Sequence, residues 1–325
     1  MVAQLRYTFI FLSCLLVVPV GAQQIPLFSQ GFDVSPFLNP AHVDFLIIRQ
    51  QKPVLKGRVA DRSLLQLADG PTLSSFDADF YVKPNVPTSF VLGTHIVYFD
   101  TDPIFTTRVN VRLAVYQRLS NEAWLSVGLS PGLVQYRVNT NPLLYIFPDD
   151  PALFNENRDV KSFALGAGAY LHLPFNIGKN KSDFKYLFCG ISMPKIGLKN
   201  RETVNNRIDQ NNHYYSYLGL HFPWADRFFI EPLVQVKYLP GLPVHGEIVC
   251  RVKRELADLL IPQYWAGIGY SNTNMGYVEV GFGWPIGATF NIMMRSSYTR
   301  TFGPYARVFH SGLEFQLTVL YQMKQ

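Results

Sequence analysis

The groups in this 325-residue chain that could do chemistry are seven histidines, a few cysteines and a scatter of charged side chains. His42, His95, His172, His213, His221, His245 and His310 show no i, i+4 spacing, and none stands beside a cysteine pair, so no zinc site is expected. No glycine-rich phosphate loop and no nucleophile elbow occurs. A lipid-modifying enzyme would need a His and a Ser together at a membrane rim. His172 or His221 could serve there, but a structural role is the better reading of either. Catalytic, cofactor-binding and metal-binding residues are therefore all absent from the expectation, and the chain is read as a non-enzyme. Cys189 and Cys250 each sit in an alternating run, where a disulfide and two free thiols are both compatible with the sequence.

The charged residues carry a clearer message, because they recur at every second position. In 107–118, Val109, Val111, Leu113 and Val115 alternate with Arg108, Asn110 and Arg112. In 228–238, Ile230, Val234, Val236 and Tyr238 oppose Glu231, Gln235 and Lys237. The runs 245–253 and 277–284, and the C-terminal run through Leu313, Phe315, Leu317, Val319 and Tyr321, repeat the pattern. Period two is the signature of strands with one apolar face. If the apolar face meets lipid, the opposite face must line an interior. Arg108, Arg112, Glu231, Lys237, Glu247, Arg251, Lys253, Glu279, Arg295 and Glu314 are thus expected to face a lumen. Their mixed signs suggest interior pairs more than a selective pore. Glycine clusters such as Gly166-Ala167-Gly168 fall inside strand patterns, where they relieve crowding or bend a strand.

The elements that carry these faces must be exported first. Arg6 and the apolar run 7–20 precede Val20-Gly21-Ala22, so 1–22 reads as a cleaved signal peptide. A lipobox at Cys14 is a poorer match, since more apolar residues follow it. Beyond Ala22 no run approaches the ~18 apolar residues of a membrane-crossing helix. Only 16% of residues are charged, against about 25% in ordinary globular domains, while 14% are aromatic. The net charge of +6 is spread along the chain without a basic patch, so nucleic acid is not an expected partner.

Alternation over nearly the whole mature chain, with no amphipathic helix of ordinary length, predicts one closed sheet. The expected fold is all-β: a single transmembrane antiparallel β-barrel of about 14 strands, within roughly 12–16. The first strand is expected at 42–50, with 23–41 as a periplasmic N-terminal segment and 42–325 as the barrel. The longest links, at 51–71, 138–159 and 194–211, all follow odd-numbered strands and share one side. Short periplasmic turns and long outer loops are the habit of outer-membrane barrels. The outer membrane of a Gram-negative bacterium is the expected location, with its lipid as the immediate partner.

Short segments in a fixed order add a resemblance. Pro26-Leu27-Phe28-Ser29-Gln30, Asn39-Pro40-Ala41, Arg49-Gln50-Gln51, Gly70-Pro71-Thr72 and Ser75-Phe76-Asp77 open the series. Leu125 to Leu129, Gln135-Tyr136, Asp149 to Leu153, Gly190 to Pro194, Glu231-Pro232-Leu233 and Trp265 to Tyr270 continue it. Together they resemble the PorP/SprF family of outer-membrane proteins of the type IX secretion system and gliding motility. Lys52 in place of the family's Trp, and His42-Val43 after Asn-Pro-Ala, are departures. The resemblance implies a non-enzymatic accessory role in secretion or surface attachment of large cell-surface proteins such as adhesins. It implies two partners, the periplasmic machinery and a secreted surface protein. Phe28, Asn39, Pro40, Asp149, Asp150 and Pro151 are the interaction residues it suggests, although turn formation equally explains the prolines and aspartates. The alternative is a passive transporter for small or hydrophobic solutes.

Overall fold

Strands with one apolar and one polar face cannot rest singly in lipid, because every backbone N–H and C=O there must find a partner; closing the sheet is the solution. The computed structural model describes residues 36–44, 47, 52–64, 71–82, 86–101, 104–120, 123–138, 158–174, 186–197, 212–225, 228–240, 243–254, 263–287, 289–302 and 311–323. Among these residues the chain forms fourteen strands. They are β1 (Val54–Leu64), β2 (Thr72–Tyr81), β3 (Thr88–Asp100), β4 (Ile104–Arg118), β5 (Trp124–Val138), β6 (Arg158–Pro174) and β7 (Tyr186–Gly197). The others are β8 (His213–Ala225), β9 (Phe228–Tyr238), β10 (His245–Arg254), β11 (Gln263–Ser271), β12 (Met275–Ile286), β13 (Phe290–Thr301) and β14 (Gly312–Gln322). Each pairs antiparallel with its sequence neighbours, and β1 pairs with β14 to close the barrel. The shortest strand, β11, has 9 residues, enough to cross a hydrocarbon core of about 30 Å when tilted.

The barrel's two faces follow from the alternation. On β4, Val109, Val111 and Leu113 are 43–49% exposed, while Asn110 and Arg112 between them are at most 2% exposed. Exposed aromatics gather at the two strand ends. Tyr98, Tyr214, Tyr238, Tyr270, Tyr298 and Phe302 mark the end where odd-numbered strands finish. Phe90, Trp224, Phe228, Tyr264, Trp284 and Phe290 mark the other end, where β1 begins and β14 finishes. Such paired girdles suit the two membrane interfaces, where an aromatic ring is apolar in body and wet at its rim. Among the described residues no helix is long and apolar enough to cross a membrane. Tight connections use the backbone freedom they need: Asn274 (φ 58) closes the β11–β12 hairpin and Gly287 (φ 64) follows β12.

The first strand and its neighbouring link differ from the sequence reading. β1 is Val54–Leu64, inside the stretch expected to be a long loop. The described part of the expected strand 42–50 lies instead in the lumen, with His42, Val43 and Asp44 outside any strand. Residues 36–41 also enter the barrel, so the segment preceding β1 is not wholly outside it up to residue 41. The longest intervals between strands are 139–157, after β5, and 198–212, after β7. The signal-peptide boundary at 22, Phe28, and Asp149, Asp150 and Pro151 lie outside the described residues.

Candidate functional site

The site is the lumen, and its centre is the chain's own N-terminal strap, residues 36–44. The strap turns at Asn39-Pro40. The Ala41 amide donates to Asn39 Oδ1 (2.9 Å) and the His42 amide to the Asn39 carbonyl (3.0 Å). This is the turn that an Asn side chain makes with its own backbone two residues on. Pro40 has no N–H to satisfy, which suits a buried position.

Barrel side chains complete the strap's hydrogen bonds. Arg112 on β4 donates from Nε to the Pro40 carbonyl (2.8 Å) and from its second nitrogen to the His42 carbonyl. Its remaining nitrogen reaches Asp79 on β2 at 2.7 Å. Ser192 on β7 donates to the Leu38 carbonyl (2.5 Å), and Asn39 donates to the Ala169 carbonyl (3.1 Å). His42 Nδ1 shares a hydrogen bond with the Tyr217 hydroxyl at 2.9 Å. The guanidinium of Arg108 covers the Phe37 ring at 4.7 Å and donates to the Pro194 carbonyl of β7, where the β7–β8 register shifts between Ser192 and Lys195.

Two glycines make room for this strap. Gly128 on β5 and Gly168 on β6 are cross-strand partners. A Cβ on Gly128 would lie 2.5 Å from the Pro40 carbonyl, and one on Gly168 would collide with Asn39 Oδ1. Val43 and Ile47 then pack among Val54, Tyr81, Tyr116 and Trp124 at the terminus-side end. Leu38 and Ala41 pack against Tyr170, Phe188, Tyr217 and Leu233 on the facing wall.

The wall from β8 to β14 is held by charges rather than by the strap. Glu279 accepts from Arg251 Nε (2.7 Å) and pairs with Arg295 (2.9 Å). Arg251 also approaches Glu231 (3.8 Å), which bonds His221 Nδ1 at 2.7 Å. Nearer the other end, Gln235 bridges the Tyr215 hydroxyl (2.7 Å) and Glu247 (2.5 Å), with Lys237 3.9 Å from the same carboxylate. Glu314 is buried on β14, and Lys253 is half-buried on β10. On β1 and β2, Arg58 grips Asp77 (Nε 2.6 Å), and His95 lies 3.0 Å from that carboxylate.

The structure thus brings Arg251, Glu231, Glu279 and Arg295 into one network and Lys237 with Glu247 into another. Arg108 and Arg112 face the strap. Asn39 and Pro40, suggested as partner contacts, are buried and bonded to the barrel wall, because the Asn-Pro turn is the part of the strap that the glycine pair admits. The sequence reading missed Arg58, Asp77, Asp79 and Ser192. Asp77 and Asp79 do alternate with Phe76, Ala78 and Phe80, a signal of the same kind as on β4. Among the described residues, Cys189 and Cys250 are free thiols. No group of three His, Cys, Asp or Glu among the described residues could hold a metal ion.

Solved structures place this architecture. The barrel superposes on the CymD monoaromatic hydrocarbon channel with a TM-score of 0.59 at 8% identity, covering 90% of this chain and 94% of that one. The Ralstonia pickettii toluene transporter TbuX gives 0.57 at 9% identity, covering 89% and 93%. A Pseudomonas aeruginosa FadL homologue gives 0.55 at 10% identity, covering 88% and 93%. At such identities the likeness is one of fold: this is a membrane β-barrel of FadL-like architecture. Comparison with curated proteins gives no match. The family model for type IX secretion system membrane protein PorP/SprF matches residues 20–321, and the chain belongs to that family.

Proposed function

We propose that this protein is a non-enzymatic barrel of the outer membrane that supports secretion or surface attachment of large cell-surface proteins, adhesins among them, alongside the type IX machinery. Family membership supplies the secretion system. The observation that carries the rest is the packed lumen: the strap is bonded to side chains and backbone of β4, β6, β7 and β8, so the barrel's interior is a fixed body. A barrel filled in this way offers its two rims for contact. In the proposed orientation β1 begins and β14 finishes on the periplasmic side, whose turns meet the machinery. The long intervals 139–157, which holds Asp149, Asp150 and Pro151, and 198–212 then face outward toward the client. The apolar outer faces sit in outer-membrane lipid.

The fold shared with a monoaromatic hydrocarbon channel and a toluene transporter favours a second reading, passage of a small hydrophobic solute. Affinity purification of the tagged protein from detergent-solubilised outer membranes, with mass spectrometry of what is bound, separates the two. Recovery of type IX components or a very large surface protein supports the accessory role. A bare barrel that accelerates entry of an aromatic hydrocarbon into liposomes overturns it in favour of transport.

A further inference from the structure

At the terminus-side end of the lumen the strap leaves a cavity of about 110 Å³ between His42 and Asp44 and the wall of β9–β11 and β13. Two neighbouring inward positions of β11 line it. Gln263 is 1% exposed and Trp265 9%, and neither Gln263 Nε2 nor Trp265 Nε1 has an acceptor among the described residues. Both groups are N–H donors, and buried donors are almost always paired in native proteins. What they lack is an oxygen.

The charges around them have the same preference. Lys56, Arg58, Arg251, Lys253 and Arg295 line the cavity against only Asp44 and Glu231. Asp77 and Glu279 neutralise part of that excess through Arg58, Arg251 and Arg295, and the cavity stays net positive. Lys253 is the cross-strand partner of Trp265, and Arg251 lies over the same indole at 5.6 Å, so cations border the ring. The cavity is somewhat smaller than the roughly 150 Å³ that admits a benzene ring, which suits a small head group and not a long chain. Tyr186, Phe188 and Met293 add an apolar flank.

We propose that this vestibule binds a small ligand through one oxyanion group, a carboxylate or a phosphate, with Gln263 and Trp265 donating to its oxygens and Lys253 and Arg251 supplying the countercharge. The site stands apart from the secretion role and from hydrocarbon passage, since a neutral apolar solute satisfies neither donor.

The test is isothermal titration calorimetry on the full-length protein in detergent micelles with benzoate, phenyl phosphate and the neutral benzamide. At least one anion is expected to bind, with benzamide at least about tenfold weaker, a difference of about 1.4 kcal/mol. Preference for one anion assigns the ligand class. Gln263→Met, which removes a donor at nearly constant shape, and Trp265→Phe, which replaces the indole N–H by a smaller ring without a donor, should each weaken anion binding by about fivefold or more. Benzamide binding as tightly as both anions, no anion binding into the millimolar range, or full affinity in both folded variants would each overturn the site. Should either variant fail to fold, the anion-to-benzamide ratio of the unaltered protein decides.

Discussion

The lumen has two walls built on different principles. From β4 to β7 the wall is small and backbone-directed. Gly128 and Gly168 admit the strap, while Arg112 and Ser192 donate to its carbonyls. From β9 to β13 the wall is large and charge-directed, with Glu231, Arg251, Glu279 and Arg295 neutralising one another. The first wall is incomplete without residues 36–44, because its donors have the strap as acceptor. The second pairs its charges without the strap. A single lumen therefore combines a wall completed by the strap with a wall held by its own charges.

That contrast can be broken at its strongest point first. Glu279→Ala takes one carboxylate from two buried arginines at once. Breaking a buried pair costs about 3–5 kcal/mol, so a large fall in the urea midpoint of the refolded barrel is expected, with the strap still in place. A midpoint within error of the unaltered protein would mean that the charges merely fill space.

Gly128→Ala attacks the other wall. The new methyl meets the Pro40 backbone, which cannot yield as a side-chain tip can, and overpacking of this kind costs about 1–3 kcal/mol. The loss should fall on the strap, seen as raised ion conductance in planar bilayers with little change in barrel unfolding. Unchanged conductance together with a destabilised barrel would show that strap and frame unfold as one body.

His42→Phe is the mildest probe. It removes the bond to Tyr217 and keeps a ring beside Tyr170, whose centroid lies 5.0 Å from that of His42. A single hydrogen bond is worth about 0.5–1.5 kcal/mol net, so only a slight rise in conductance is expected. A rise as large as that for Gly128→Ala would make this bond, and not the glycine cradle, the latch of the strap.

Much of this was legible along the chain. The outward faces of β4, β9, β10 and β14 follow from alternation alone, since neighbouring side chains of a strand point to opposite faces. The PorP/SprF resemblance, carried by short motifs in order, agrees with the family match over 20–321. The glycines of β6 could be read as relief of crowding, but nothing local said what they make room for. The strap's acceptors are backbone carbonyls, which leave no trace in residue type. The donors that meet them come from β4 and β7, 70 residues or more away in sequence.

The position of β1 shows where the division lies. Both 42–50 and 54–64 carry apolar residues in strand-like order, and period two cannot choose between them. The choice is made by closure: β1 must hydrogen-bond β2 on one side and β14 on the other, and it pairs with β14 along its full length and with β2 from Val54 to Ser63. The sequence by itself determined a sheet with one lipid face and one charged face, because those properties are set residue by residue. Tertiary structure alone decided which segment became strand and which became strap, because that choice rests on partners brought together only when the barrel closes.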